Sequence, residues 1–150
     1  MGILSIALTI LSCSTLVQTF FTQSAGIKGV LLCGDKPLVN TKLKLYDLDR
    51  GPFDRNDLLA EGTTDSMGQF SLHGHTTETT TIDPQLHIYH DCYEGMALCE
   101  RETIIKIPKS YVSSGEKPER FLNIGKVNMH IKSLTGESSC NFLSRIFHRA

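Results

Sequence analysis

The chain predicts an all-β fold, an antiparallel β-sandwich of about seven to eight strands. Three observations lead there: short runs alternate apolar and polar residues at period two, no segment sustains a period of 3.6, and Gly, Asp and Pro turns separate the runs.

The clearest run is "KVNMHIK" (126–132), in which Val127, Met129 and Ile131 alternate with Lys126, Asn128, His130 and Lys132, the signature of a half-buried strand. "TKLKLYD" places Leu43 and Leu45 on one face and Lys42 and Lys44 on the other. "GQFSLHGH" places Phe70 and Leu72 inward and Ser71, His73 and His75 outward. Further strands are expected over 27–33, 59–64, 86–92, 101–107 and 119–124. "GDKP" (34–37) and "DSMG" (65–68) supply turns, with Asp65 and Gly68 as the structural residues of the second, and Pro84 and Pro108 stand at strand ends. The polar connection "RGPFDRNDLL" (50–59) has room for one helical turn starting near Asn56 or Asp57.

Composition indicates the compartment. All 15 Lys and Arg and all 16 Asp and Glu follow residue 25. The apolar run Ile3–Leu11 is too short to span a bilayer, and Ser24 and Ala25 suit a cleavage site, so residues 1–25 read as a secretory signal peptide. A domain over 26–141 and a short tail over 142–150 follow, and no other stretch could serve as a transmembrane segment. The tail "FLSRIFHRA" mixes Arg145, His148 and Arg149 with apolar residues, a short basic amphipathic pattern. The net charge is −1 and the lysines and arginines are scattered, so no nucleic-acid footprint is present.

Removing the leader takes Cys13 and leaves Cys33, Cys92, Cys99 and Cys140, an even set that in a secreted chain points to two disulfides. Three pairings are open. The short spacing makes Cys92–Cys99 the economical first choice, which leaves Cys33 to reach Cys140. A zinc site is disfavoured, because there is no CxxC pair and an oxidising compartment consumes thiols.

Two blocks of sequence carry a resemblance. "GIKGVLLCGDKPLVNTKLKLYDLDR" with "LLAEGTTDSMGQFSLHGH" is similar to the opening hairpins of transthyretin-like domains. "IDPQLHIYHDC" with "CERETIIKIPKSYV" is more specific, and together they resemble the secreted nematode transthyretin-like family from about Ile27 to Cys140. The resemblance implies an extracellular transthyretin-like (prealbumin-like) sandwich with four cysteines at matching positions, no cofactor and no settled enzymatic activity. Members are secreted proteins thought to act as carriers or extracellular adaptors.

The hydrolase branch of the superfamily, which acts on 5-hydroxyisourate, closes its site with a C-terminal Tyr-Arg-Gly-Ser motif, whereas this chain ends "GESSCNFLSRIFHRA". Iodothyronine carriage needs a tetramer channel, and nothing in the sequence signals that assembly. His73 and His75 share a strand face at a spacing that suits two zinc ligands, but on the solvent side and without a third ligand. "DLDRGPFDRND" fails the EF-hand pattern, since Gly51 and Pro52 occupy its fifth and sixth positions. In "IDPQLHIYHDC", parity places Leu86, Ile88, His90 and Cys92 on one face and His87, Tyr89 and Asp91 on the other, so the two histidines diverge. Ile88 is then expected in the core, and His90 is expected as a buried or edge histidine bonded to backbone.

These readings favour a non-catalytic secreted binding or adaptor protein that engages a cell-surface receptor or another extracellular protein. The loops "RGPFDRNDLL", "HTTETTT" and "YEGMAL" are its expected contact surfaces. The alternatives are a carrier of a small hydrophobic ligand and a phospholipid head-group binder, and a hydroxyisourate-type enzyme has the least support.

Overall fold

The computed structural model describes residues 20–48, 56–92 and 101–130 as nine strands in two sheets that enclose one apolar core. The strands are β1 (Phe21–Cys33), β2 (Lys36–Pro37), β3 (Lys42–Asp47), β4 (Asp57–Thr63), β5 (Gln69–Glu78), β6 (Pro84–His90), β7 (Arg101–Lys106), β8 (Ser113–Ser114) and β9 (Phe121–Asn128). Sheet I is built around β1, which pairs with β2 and β5 on one side and with β8 and β9 on the other. Sheet II runs β4-β3-β6-β7, antiparallel throughout. The alternation read from the sequence sorts the faces: Leu43 and Leu45 of β3, Phe70 and Leu72 of β5, and Leu86 and Ile88 of β6 are buried. With Ile27, Leu31 and Met129 they fill the space between the sheets.

Four features differ from the sequence expectation. First, β1 begins at Phe21, not at Ile27, because "TQSAG" shows no apolar alternation and becomes strand only through its partners. Second, the expected strands 119–124 and 126–132 form one strand, β9, with Gly125 at φ 65 and a register shift opposite Gly29. One extra residue on β9 makes a β-bulge there, and Ile131 and Lys132 lie outside the described residues. Third, β9 runs parallel to β1, so sheet I is mixed. Fourth, Asp57 opens β4, whereas the one helical turn among the described residues is a 3₁₀ turn, Lys109–Tyr111, directly after Pro108.

Three glycines allow close approach. A Cβ at Gly29 would stand 2.5 Å from Cγ1 of Ile124, a side chain that packs against the core. A Cβ at Gly74 would stand 2.2 Å from the carbonyl oxygen of Leu59, where β4 of sheet II crosses β5 of sheet I. Gly68 sits at φ 73 in the turn before β5, and a Cβ there would meet the Leu31 carbonyl at 2.4 Å. Asp65 shapes the same turn: its Oδ1 accepts the backbone N–H of both Met67 and Gln69 at 2.8 Å, an Asx turn.

The disulfide is Cys33–Cys92, which corrects the pairing expected from spacing. Nearness in sequence favoured Cys92–Cys99, but the fold brings the end of β1 beside the end of β6, with a Cα–Cα separation of 5.6 Å. The bond therefore links the two sheets, and Cys99 and Cys140 lie outside the described residues. Closing a loop with a sequence separation of 59 stabilises by about 4 kcal/mol in the chain-entropy picture. Beside it, the Asn128 side chain accepts the Gly34 N–H and donates to the Gly34 carbonyl, both at 3.0 Å, which ties the β1–β2 turn to the end of β9.

His90 is 3% exposed, and its hydrogen-bond partner is the Thr103 hydroxyl at 3.1 Å, a side chain where backbone was expected. Its Nδ1 is buried without a hydrogen-bond partner among the described residues. Burial, and then the nearby Arg101 charge, push the imidazole below its ordinary value of 6.5, with Asp91 opposing. Because the folded value is the lower one, the unfolded chain binds the extra proton first. The His90 contribution is thus present above pH 6.5 and lost as pH falls below it.

Three outcomes are expected. Gly74→Ala should destabilise by about 1–3 kcal/mol, a fall in Tm on the order of 5–15 °C in a thermal melt; an unchanged Tm would contradict the close β4–β5 crossing. Non-reducing peptide mapping should recover Cys33 joined to Cys92, and recovery of Cys92 joined to Cys99 would refute the inter-sheet bond. Denaturant unfolding between pH 7 and pH 5 should show wild-type stability declining with acidity, and His90→Gln, which keeps a partner for Thr103 but does not titrate, should flatten that slope.

Candidate binding face on sheet II

The stretch that holds His90 inside also turns side chains outward. Cross-strand pairing places Lys42 beside Tyr89, Lys44 beside His87 and Tyr46 beside Gln85, and on the far side of β6 it places Tyr89 beside Glu102, His87 beside Ile104 and Gln85 beside Lys106. All of these point away from the core, because their neighbours Leu43, Leu45, Leu86 and Ile88 point into it.

Four side chains at the centre of this face hold one another. His87 Nδ1 lies 2.6 Å from Glu102 Oε1, and the Tyr46 and His87 rings meet edge to face with centroids 4.9 Å apart. Burial, hydrogen bonding to Glu102 and repulsion from its carboxylate push the Tyr89 phenol well above its usual range, so it stays a neutral donor. Lys42 Nζ stands 5.9 Å from the Tyr89 ring centre and Lys44 Nζ the same distance from that of Tyr46, within cation–π reach. The consequence is a pre-ordered surface of two tyrosines under lysines, with Glu102 engaged from within the cluster. Exposed Leu58 and Ile104 flank it.

At the end of the sheet the face meets a cleft of about 250 Å³ lined by Leu48, Asp83, Gln85, Lys106, Ile107 and Lys109 among others. Lys109 Nζ pairs with Asp83 at 3.2 Å. Behind the cleft, Asp47 is 2% exposed and accepts the Asp83 N–H at 2.6 Å. Burial raises its carboxyl above the ordinary value, and the backbone hydrogen bond opposes that shift.

The residues singled out from sequence lie elsewhere. Ile88 is in the core, His90 and Cys92 are buried behind the face, and Asp65 and Gly68 shape the turn before β5. His73 and His75 are exposed on sheet I, where the His73 ring meets Phe121 edge to face at 5.8 Å. Among the described residues, no three His, Cys, Asp or Glu are grouped to hold a metal ion. Of the three expected contact loops, 50–55 and 93–98 lie outside the described residues, and His75–Glu78 of "HTTETTT" belongs to β5. The sequence reading missed the grouping of Tyr46, His87, Tyr89 and Glu102. Parity had already placed His87 with Tyr89, but the pairing of β6 with β3 and β7 was needed to add the other two.

Comparison with known proteins agrees with this architecture. A model of the transthyretin-like family matches residues 28–108. Transthyretin-like protein 33 of Caenorhabditis elegans is 60% identical over 128 residues, covering 85% of this chain and 89% of that protein. Transthyretin-like proteins 5 and 2 of the same organism are 46% identical over 108 residues and 40% over 123, with 72% and 79% of this chain and 77% and 83% of the relatives covered. The two-sheet sandwich, the matched segment and the extent of these identities together show that the chain belongs to the transthyretin-like family.

Proposed function

We propose that this transthyretin-like chain is a secreted, non-catalytic binding module that engages an acidic segment of an extracellular or cell-surface protein through the outer face of sheet II. The observation that carries the reading is the cluster of Tyr46, His87, Tyr89 and Glu102 beneath Lys42 and Lys44. Tyrosine supplies large contact area at low entropic cost, and at protein interfaces it concentrates in the well-packed centre. Glu102 is occupied by His87, and Lys42 and Lys44 stand over the two rings, with exposed Glu61 opposite Lys44 at the edge of the face; the lysines above the rings favour an acidic partner. The uncharged segment 1–25 and the Cys33–Cys92 disulfide support an oxidising, extracellular setting. The non-catalytic reading rests on how the reactive side chains are used: His87 with Glu102, His90 with Thr103, and the two cysteines with each other. The carrier reading draws on the cleft beside Lys106 and Lys109, whose 250 Å³ is smaller than the roughly 300–1,000 Å³ of drug-sized ligand sites.

A fluorescently labelled glutamate-rich peptide is the direct probe. Wild-type protein should raise its anisotropy at low salt. Lys42→Glu with Lys44→Glu should weaken binding at least tenfold, and Tyr89→Ala should weaken it several-fold with the salt dependence retained. Sedimentation with anionic vesicles, combined with no response to the peptide, would replace the protein partner by a phospholipid surface.

A further inference from the structure

We infer that the leader of this chain is cut on the N-terminal side of Phe21, so that β1 is kept whole, and not after Ala25. The inference rests on the secreted reading above and goes beyond it by naming where the chain is processed.

A cut after Ala25 would remove the first five residues of β1, Phe21 to Ala25. Those residues are integral to sheet I. They pair with Gly74, His75, Thr76, Thr77 and Glu78 of β5, and Gln23 and Ser24 are the partners of both residues of β8. Ser24 and Ala25 are 0% exposed and Gln23 is 8% exposed. The Gln23 side chain donates to the Thr80 carbonyl at 2.7 Å and accepts from the Ile82 N–H at 3.4 Å, which ties the β5–β6 connection to β1. The Thr22 carbonyl takes the Gly115 N–H at 2.8 Å, and the Thr22 and Thr77 hydroxyls meet at 3.1 Å. Without these residues half of β5 would lose its ladder partner and β8 would have none, leaving a row of unpaired backbone groups.

The small side chains at 24 and 25 thus have a packing explanation. They sit where β1 is flanked on both edges and fully covered, so they do not require a peptidase to account for them. Upstream, Ser12-Cys13-Ser14 directly follows the apolar run Ile3–Leu11 and offers small residues at the third and first positions before the Ser14–Thr15 bond. That bond releases Cys13 with the leader, leaves the four cysteines from Cys33 to Cys140, and places Thr15 first.

The test is mass-spectrometric identification of the N-terminal peptide of the protein recovered from the medium of cells expressing the full chain. A first residue from Thr15 to Phe21, with Thr15 the one expected, sustains the inference. Gly26 as the first residue, or an intact Met1, overturns it and leaves secretion standing, whereas a protein retained in the cells with Met1 intact and absent from the medium overturns both. A second measurement compares chains made to begin at Thr15 and at Gly26: the shorter one should melt at least 10 °C lower or lose its cooperative transition, and equal melting would overturn the structural argument.

Discussion

Sheet I depends on a single strand. Each of its other four strands takes its ladder partners from β1, so the backbone of Phe21–Cys33 satisfies hydrogen-bonding groups on two edges at once. Such a strand is covered on both sides, and its composition follows from that: small residues Ser24, Ala25 and Gly26 where neighbours crowd it, Ile27 and Leu31 where it faces the core. Gly26 and Gly29 leave space for Phe121 and Ile124 of β9, the parallel partner. The β-bulge at Gly125 re-aims β9 so that Ile124 fills the space over Gly29 while Met129 reaches the core.

The far end of β1 is where the two sheets are joined. Cys33 is bonded to Cys92 at the end of β6, and the next residue, Gly34, is held by both ends of the Asn128 amide. Three segments distant in sequence therefore meet at one corner. Sheet-on-sheet packing supplies most of the burial, but it is non-directional and tolerates sliding. A covalent link and a pair of directional hydrogen bonds at one corner restrict that freedom, and the Leu59–Gly74 contact between β4 and β5 does the same by close backbone approach.

With the core so held, β6 separates two kinds of chemistry by parity alone. Its inner face carries Leu86, Ile88 and a neutral His90, and its outer face carries Gln85, His87 and Tyr89. Gln85 is buried, whereas His87 and Tyr89 are partly exposed. His87 and Tyr89 are both held by Glu102 of β7, so a partner meeting this face would find its rings already placed, and the ordering cost of binding would be low. An exposed histidine in a loop would lack that advantage.

Local pattern was enough for the faces and the turns. The alternation of Leu43 and Leu45 with Lys42 and Lys44, and of Phe70 and Leu72 with His73 and His75, depends only on the two-residue period of a strand, and Asp65 and Gly68 mark their turn by local backbone chemistry. What tertiary structure decided was everything that depends on which strands become neighbours. Residues 21–25 have no pattern of their own and are strand because β5 and β8 lie beside them. Cys33 found Cys92 rather than a partner near in sequence because sheet packing, not chain proximity, sets the distance between thiols. Tyr46 and Glu102 joined His87 and Tyr89 for the same reason, since 41 residues or more separate Tyr46 from β6's outer histidine and from Glu102 only along the chain, whereas ladder register places β3 and β7 on either side of β6.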